Sequence, residues 1–251
     1  MKLGLFINNE SFYENKAKKI IKILKKLNMK FKICKTKSKF NILIVVGGDG
    51  TIFKAAKDYP NAALLPIKRL SFPISIALEK IKKGEYKIEK IMRLEVKYKN
   101  FKAWGINDIS VLRDDECANR FRVFIDGKNA FGDELMGDGV IVATPYGSTG
   151  YNWTAGGTVL KENENKFVVT PICSAYFNKR FTIKNKSIMK RAEGSKIIPD
   201  NKGVVIKFSR SIRNKIVPDG RKEERIYANI KAGDKVLIRK SKESSKFVKI
   251  L

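Results

Sequence analysis

An apolar run that stops in a glycine turn constrains the fold more than any other stretch of this chain. Asn41-Ile42-Leu43-Ile44-Val45-Val46 is aliphatic without a break after its first residue, then gives way to Gly47-Gly48-Asp49-Gly50-Thr51. Lacking polar alternation, it reads as a strand buried on both faces, the kind found in parallel sheets covered by helices. Thr51-Ile52-Phe53-Lys54-Ala55-Ala56-Lys57 then has helical spacing, and the pattern predicts that Thr51 caps the start. A strand, a turn without side-chain bulk and a helix N-terminus aim free backbone N–H groups at one spot, which makes an anion site.

Asp49 is out of place in a passive phosphate cradle. A carboxylate about 4 Å from a phosphate charge costs roughly 1 kcal/mol in water and about 4 kcal/mol at an effective dielectric of about 20. Its presence points to an acceptor for a hydroxyl proton, or to a partner for a metal carried by the phosphates. The plain alternative is a polar turn residue that caps the helix.

The surroundings of this turn predict an open α/β sheet. Lys2 to Asn8 reads as a first strand, since its apolar run is too short for a signal peptide. Ser11-Phe12-Tyr13-Glu14 has capping-box spacing, and Ala17, Ile20, Ile21, Leu24 and Leu27 recur on one helical face. Phe31 to Lys35 is a second strand, Ala62 to Ile67 another, and Phe72 to Lys83 a helix ended by Gly84. In such sheets ligands bind beyond the carboxyl ends of the strands, where the glycine turn lies.

Near residue 90 the pattern changes to alternating β segments, at Ile88 to Lys99, Trp104 to Leu112, Phe121 to Ile125, Val140 to Thr144, Phe167 to Pro171, Val204 to Phe208 and Val236 to Arg239. Asp126-Gly127 and Ala232-Gly233-Asp234 supply turns. The expected fold class is therefore an α/β N-terminal domain with an open, mostly parallel sheet over residues 1–90, followed by a β-rich domain over residues 91–251. The end of the chain is free to pack back on the first domain, and the site is expected in the cleft between the two.

Composition removes several chemistries. The 251 residues contain no histidine, which excludes triads, imidazole bases and His–metal sites. Cys34, Cys117 and Cys173 are few and far apart, which fits buried thiols in a reducing cytoplasm and gives no zinc spacing. No run approaches the roughly 18 apolar residues needed to span a bilayer, so no membrane partner is expected. The net charge of +28 attracts polyanions. Yet the lysines are scattered, and the densest clusters, Lys16 to Lys26 and Lys231 to Lys249, read as solvated faces of amphipathic elements. Nucleic acid binding is accordingly the lesser reading.

A second strand runs into a hydroxyl-rich loop at Gly137-Asp138-Gly139-Val140-Ile141-Val142-Ala143-Thr144-Pro145-Tyr146-Gly147-Ser148-Thr149-Gly150-Tyr151. Gly147, Ser148, Thr149 and Gly150 can offer N–H and O–H donors to a phosphate or ribose. Tyr151 adds an aromatic wall and Asp138 an acceptor. The plain alternative is a hairpin with an ordinary polar turn.

Together the two loops resemble the NAD kinase family. Its hallmarks are GGDGT, an Asn–acidic pair and a TPxGSTAY-like loop. They stand here as Gly47-Gly48-Asp49-Gly50-Thr51, Asn107-Asp108 and Thr144-Pro145-Tyr146-Gly147-Ser148-Thr149-Gly150-Tyr151, with Ala155-Gly156-Gly157, Thr170-Pro171-Ile172-Cys173 and Pro218-Asp219-Gly220 as further landmarks. GGDGT alone is shared with diacylglycerol and sphingosine kinases, so a lipid or sphingoid kinase is the alternative enzyme. The later loop is more specific.

What the resemblance implies is phosphorylation of the adenosine ribose 2′-hydroxyl of NAD by ATP (or polyphosphate) with a divalent metal, Mg²⁺, to give NADP. Asp49 stands at the position of the proposed base, and Gly47, Gly48, Gly50 and Thr51 form the phosphate-facing turn. Asn107 and Asp108 would hold adenine and ribose, and Phe72 would flank the adenine. Asp138, Ser148, Thr149, Gly150, Tyr151 and Thr154 complete the implied nucleotide contacts, in a homodimer or homotetramer. No metal ligand set is implied. Lys68 or Arg69, Lys179 or Arg180, and Arg221 are candidate cations without a ranking. Three departures stand out. Ile67-Lys68-Arg69-Leu70-Ser71-Phe72 replaces a usual glycine-rich turn, Gly150 replaces a usual alanine, and Ser174-Ala175-Tyr176 stands where a histidine is common.

Overall fold

The computed structural model describes residues 1–8, 11–34, 38–183, 186–192, 194–221 and 223–251. They fall into two compact units, Met1–Ile91 with Ser244–Leu251, and Met92–Glu243.

In the first unit β1 (Leu3–Ile7), β2 (Phe31–Ile33), β3 (Ile42–Val46) and β4 (Ala63–Pro66) lie in the order β4-β3-β1-β2, all parallel. Beyond β4, Lys246 and Phe247 pair in parallel with Ala63 and Leu64. All five residues of β3 are buried, as an unbroken aliphatic run requires. Helix α1 (Ser11–Lys26) buries Ala17, Ile20 and Leu24 against this sheet, with Ile21 and Leu27 packed at its margin. Each fully buried Leu, Ile or Val contributes about 1.5–3 kcal/mol relative to exposure.

The helix termini differ from the sequence reading in instructive ways. α1 begins at Ser11 itself, so its capping position falls on residue 10, outside the described residues. The end of the second predicted strand, Lys35, also lies outside them. Thr51 does not cap α2 (Asp49–Asp58); Gly48 does, with no side-chain cap bond, and Thr51 lies buried in the first turn. α3 (Ile74–Lys83) starts two residues later than the spacing of Phe72 suggests, because a residue before proline is driven out of the helical region. Between β4 and α3, Ile67–Arg69 forms a single 3₁₀ turn.

The second unit is a β sandwich. One antiparallel layer runs in the order Lys196–Pro199, Lys166–Ile172, Gly139–Ala143, Asp108–Arg113, Ile212–Pro218, Ile226–Ile230. The other contains Lys186–Arg191, Ala175–Ile183, Leu135–Gly137, Asn119–Ile125 and Gly203–Phe208, the last pairing with Lys235 to Arg239. Val111, Val140, Val142, Phe167 and Val169 from the first layer meet Phe121, Val123, Leu135, Val204 and Ile206 from the second in one core. Asp126 and Gly127 both have positive φ, 49° and 76°, and close a tight hairpin between Ile125 and Lys128 as predicted.

Two β assignments need correction. The segment Trp104 to Leu112 is two strands, Phe101–Gly105 and Asp108–Arg113, broken at Ile106-Asn107. The strand expected over Val236 to Arg239 is the start of a longer one, Lys235–Ile250; its Val236 and Ile238 are buried while Lys240, Lys242, Lys246 and Lys249 are exposed, the solvated face expected for this lysine cluster. Among the described residues no helix is long and apolar enough to cross a membrane.

Candidate functional site

In the first unit the chain leaves β3 at Val46 and turns sharply. A Cβ on Gly47 would sit 2.2 Å from Thr51 Oγ1, so only glycine allows the helix to start this close to the strand end. The amides of Thr51 and Ile52 donate back to the Gly48 carbonyl at 3.0 and 3.1 Å. Helix geometry leaves the earlier amides, those of Asp49 and Gly50, without an acceptor inside the helix. Gly50 faces open space. The carboxylate of Asp49 is divided: Oδ2 accepts from Lys68 Nζ at 2.7 Å, and Oδ1 is buried with no partner. Phe72 is half-buried and stands apart from the core of this unit.

In the second unit the Asn107-Asp108 turn and the loop after Gly139–Ala143 are locked together. The Asn107 carbonyl accepts from the Thr144 amide at 2.8 Å, and Thr144 Oγ1 donates to the Ile106 carbonyl at 2.5 Å. Gly147 in turn donates its amide to Thr144 Oγ1 at 3.1 Å. A Cβ on Gly147 would come within 2.1 Å of the Asn107 carbonyl oxygen, so the loop can lie on the turn only with glycine there. Two motifs that are far apart in sequence thus share one surface.

The strand break at Ile106-Asn107 is held open by a residue that motif reading placed only as a landmark. Asp219 is fully buried, and its Oδ2 accepts from the Ile106 amide at 2.9 Å. Its Oδ1 accepts from the amides of Asn107 and Asp108 at 2.7 and 3.2 Å. Its own amide donates to the Asp108 carbonyl at 2.9 Å. The turn therefore cannot zip into a continuous strand; Asn107 stands half-buried at its tip and Asp108 is buried at the start of the next strand. The amide oxygen of Asn107 is buried without a partner.

The remaining predicted residues divide by exposure. Thr149, Gly150 and Tyr151 are exposed. Asp138 is paired with Arg113 Nε at 2.6 Å but keeps 40% of its side chain exposed. Thr154 is exposed, its hydroxyl donating to the Tyr151 carbonyl at 2.9 Å. Ser148 is different: it is fully buried, and its hydroxyl donates to the Pro145 carbonyl at 2.8 Å while accepting from the Leu160 amide at 3.0 Å. Its side chain shapes the loop from inside. Asn152, which no motif singles out, does the same. Its Nδ2 donates to the carbonyls of Ser148 and Thr158, and its Oδ1 accepts from Thr170 Oγ1 at 2.7 Å.

Burial dominates the electrostatics of the turn. It pushes the Asp108 carboxyl up to about 7, with the negative charge of Asp219 adding to the effect. Burial also raises Asp219, to about 6, against three backbone N–H donors and the Arg221 guanidinium, which pull it down. The Tyr151 phenol is raised by burial first and then by negative charge at Cys173, Asp138 and Asp108.

Of the candidate cations, Arg221 is spent inside the fold. It donates to Glu224 at 2.8 Å and to the Trp104 carbonyl at 3.0 Å, and lies 3.7 Å from Asp219. Lys179 and Arg180 are exposed on the strand Ala175–Ile183, with Lys179 over the Tyr176 ring. Lys68 pairs with the Asp49 carboxylate. Among the described residues no three or more His, Cys, Asp or Glu side chains gather closely enough to hold a metal ion.

Comparison with known proteins gives the family and the fold. Residues 109–250 match the family described as ATP-NAD kinase C-terminal domain. The chain is 30% identical over 231 residues to an NAD kinase of Carboxydothermus hydrogenoformans, covering 84% of this chain and 75% of that protein. To an NAD kinase of Caldicellulosiruptor bescii it is 28% identical over 211 residues, or 78% and 80% of the two chains. In fold it is similar to the crystal structure of an NAD kinase from Archaeoglobus fulgidus in complex with ATP, with a TM-score of 0.70 at 22% identity. That match covers 100% of this chain and 94% of the other.

Proposed function

Since this chain belongs to the NAD kinase family, we propose that its reaction transfers the γ-phosphoryl group of ATP to the adenosine 2′-hydroxyl of NAD, making NADP. The observation that carries the chemistry is the Asp49 carboxylate, set at a glycine turn with one buried oxygen uncommitted. A sugar hydroxyl is a poor nucleophile, and an acceptor for its proton lowers the barrier as attack develops. The open turn at Gly48 and Gly50, with the first amides of α2, is suited to the phosphate chain that donates the group.

The second unit supplies recognition of the dinucleotide. Asn107 offers an unsatisfied amide oxygen to the adenine amino group, and Asp108 offers a carboxylate to ribose hydroxyls. Exposed Thr149, Gly150 and Tyr151, with Asp138 and Thr154, line the remaining contacts. A magnesium ion would arrive with the triphosphate, held by its oxygens and at most one carboxylate, and would neutralise charge on the transferred group. The thiols are not buried as expected, since Cys117 and Cys173 are exposed and Cys34 is half-buried, but their small number and free state support a cytoplasmic location. Exposed Tyr151, Trp153 and Val159 support assembly into a dimer or tetramer.

The test is Asp49→Asn. The expected result is NAD binding within about twofold of the parent, by calorimetry, with turnover down by about 10²–10⁴. NADP formation near the parent rate would remove Asp49 from catalysis.

A further inference from the structure

Parallel neighbours β3 and β4 deliver two different groups from their carboxyl ends. β3 ends in the Gly47–Thr51 turn, and β4 ends in the 3₁₀ turn Ile67–Arg69. Lys68 from that turn places Nζ 2.7 Å from Asp49 Oδ2, leaving Oδ1 unpartnered. As a structural ion pair it would contribute little, because the two side chains are 52% and 37% exposed. As part of an anion site it removes a contradiction, since a bare carboxylate repels the phosphates that the turn is built to receive.

We propose that Lys68 is a catalytic cation that alternates between Asp49 and the phosphate donor. Before the donor binds, its ammonium neutralises Asp49. With donor and NAD in place, it moves to the oxygens of the phosphoryl group being transferred, and the ribose 2′-hydroxyl takes its place on the carboxylate. The O2′–phosphorus bond then forms as the bond from that phosphorus to the bridging oxygen breaks. The electron pair leaves with the shortened phosphate chain, and the hydroxyl proton passes to Asp49. Lys68 stays charged throughout and offsets the charge spreading over the transferred oxygens. The recognised chemistry is a phosphoanhydride chain, whether in ATP or in inorganic polyphosphate. This inference rests on the reading of Asp49 as the base.

Steady-state kinetics of Lys68→Met, Lys68→Arg and Asp49→Asn, run with each donor, test it. Lys68→Met is expected to lower kcat by about 10²-fold and raise the donor KM about tenfold, with the NAD dissociation constant within about twofold. Lys68→Arg should recover about a tenth of the parent kcat or more, as a retained cation would. Equal loss with both donors assigns the contact to the shared phosphate chain, and loss with ATP alone assigns it to the nucleotide. A Lys68→Met enzyme with kcat and donor KM within about twofold of the parent, beside an inactive Asp49→Asn, overturns the role of Lys68 alone. An active Asp49→Asn enzyme overturns the base reading and this inference with it. Matching losses of NAD and donor affinity would mean a structural role and would also overturn it. Thermal unfolding verifies that each variant is folded, and Lys68→Gln replaces the methionine variant if that one is not.

Discussion

Removing the Asp219 carboxylate should do more damage than any other single polar substitution in the second unit. The side chain is fully buried and accepts three backbone amides at 2.7 to 3.2 Å. Hydrogen bonds to a charged group contribute about 1.5–3 kcal/mol each, and a buried donor left unmade costs about 1–3 kcal/mol. Asp219→Asn keeps one acceptor oxygen. Its least costly orientation retains Oδ1, which serves Asn107 and Asp108, and sets an N–H against the Ile106 amide. The expected loss is about 2–3 kcal/mol. Asp219→Ala abandons all three amides and weakens the setting of Arg221, for about 4–6 kcal/mol after allowing for partial relaxation. Urea unfolding followed by Trp104 and Trp153 fluorescence reads this as a midpoint lower by about 1 M for Asn and about 2 M for Ala, for a slope of about 2–3 kcal/mol per M. Both variants should also bind NAD more weakly, because the same amides set the positions of Asn107 and Asp108. An alanine variant within about 0.5 kcal/mol of the parent would refute the reasoning, since three buried donors cannot lose a shared acceptor without cost.

Other consequences follow from the same geometry. Asp108 holds its proton more tightly folded than unfolded, so its stabilising contribution is complete below the unfolded carboxyl value of about 4 and is lost as pH rises through about 7. Thermal unfolding from pH 5 to 8 should therefore show the parent losing stability that Asp108→Asn keeps; parallel profiles would contradict the assignment. Gly147→Ala, whose new Cβ would meet the Asn107 carbonyl at 2.1 Å, should cost about 1–3 kcal/mol and weaken NAD binding. Gly50→Ala enters open space and should leave stability within about 1 kcal/mol while raising the ATP KM, so the pair separates crowding from loss of a phosphate contact. Asn152→Ala strands the Thr170 hydroxyl and two carbonyls, for an expected 2–4 kcal/mol in chemical denaturation (about one lost network).

Much of the first unit was legible because its signals are local. An aliphatic run with no alternation has to be buried on both sides, and Gly47 followed by a helical pattern has to be a tight turn. The second unit gave less away. Ile212–Pro218 carries Arg213, Asn214 and Lys215 in succession, with Asn214 buried, which hides the alternation of its inward face. Ser148 and Thr149 look alike in sequence, yet one hydroxyl is sealed inside the loop and the other residue is exposed. Asp219 acts on residues 111 and more positions away through backbone amides, which leave no trace in residue identity. The pairing of Lys68 with Asp49 depends on β3 and β4 being neighbours, a fact of topology that neither turn records on its own.

The most direct measurement follows the product. The protein is incubated with NAD, ATP and Mg²⁺, and the mixture is read by mass spectrometry and by a dehydrogenase that accepts only NADP. The expected result is that NAD gains one phosphoryl group in a form that enzyme reduces, in parallel with ADP release. An unchanged NAD mass, with labelled phosphate transferred instead to diacylglycerol or a sphingoid base, would contradict it.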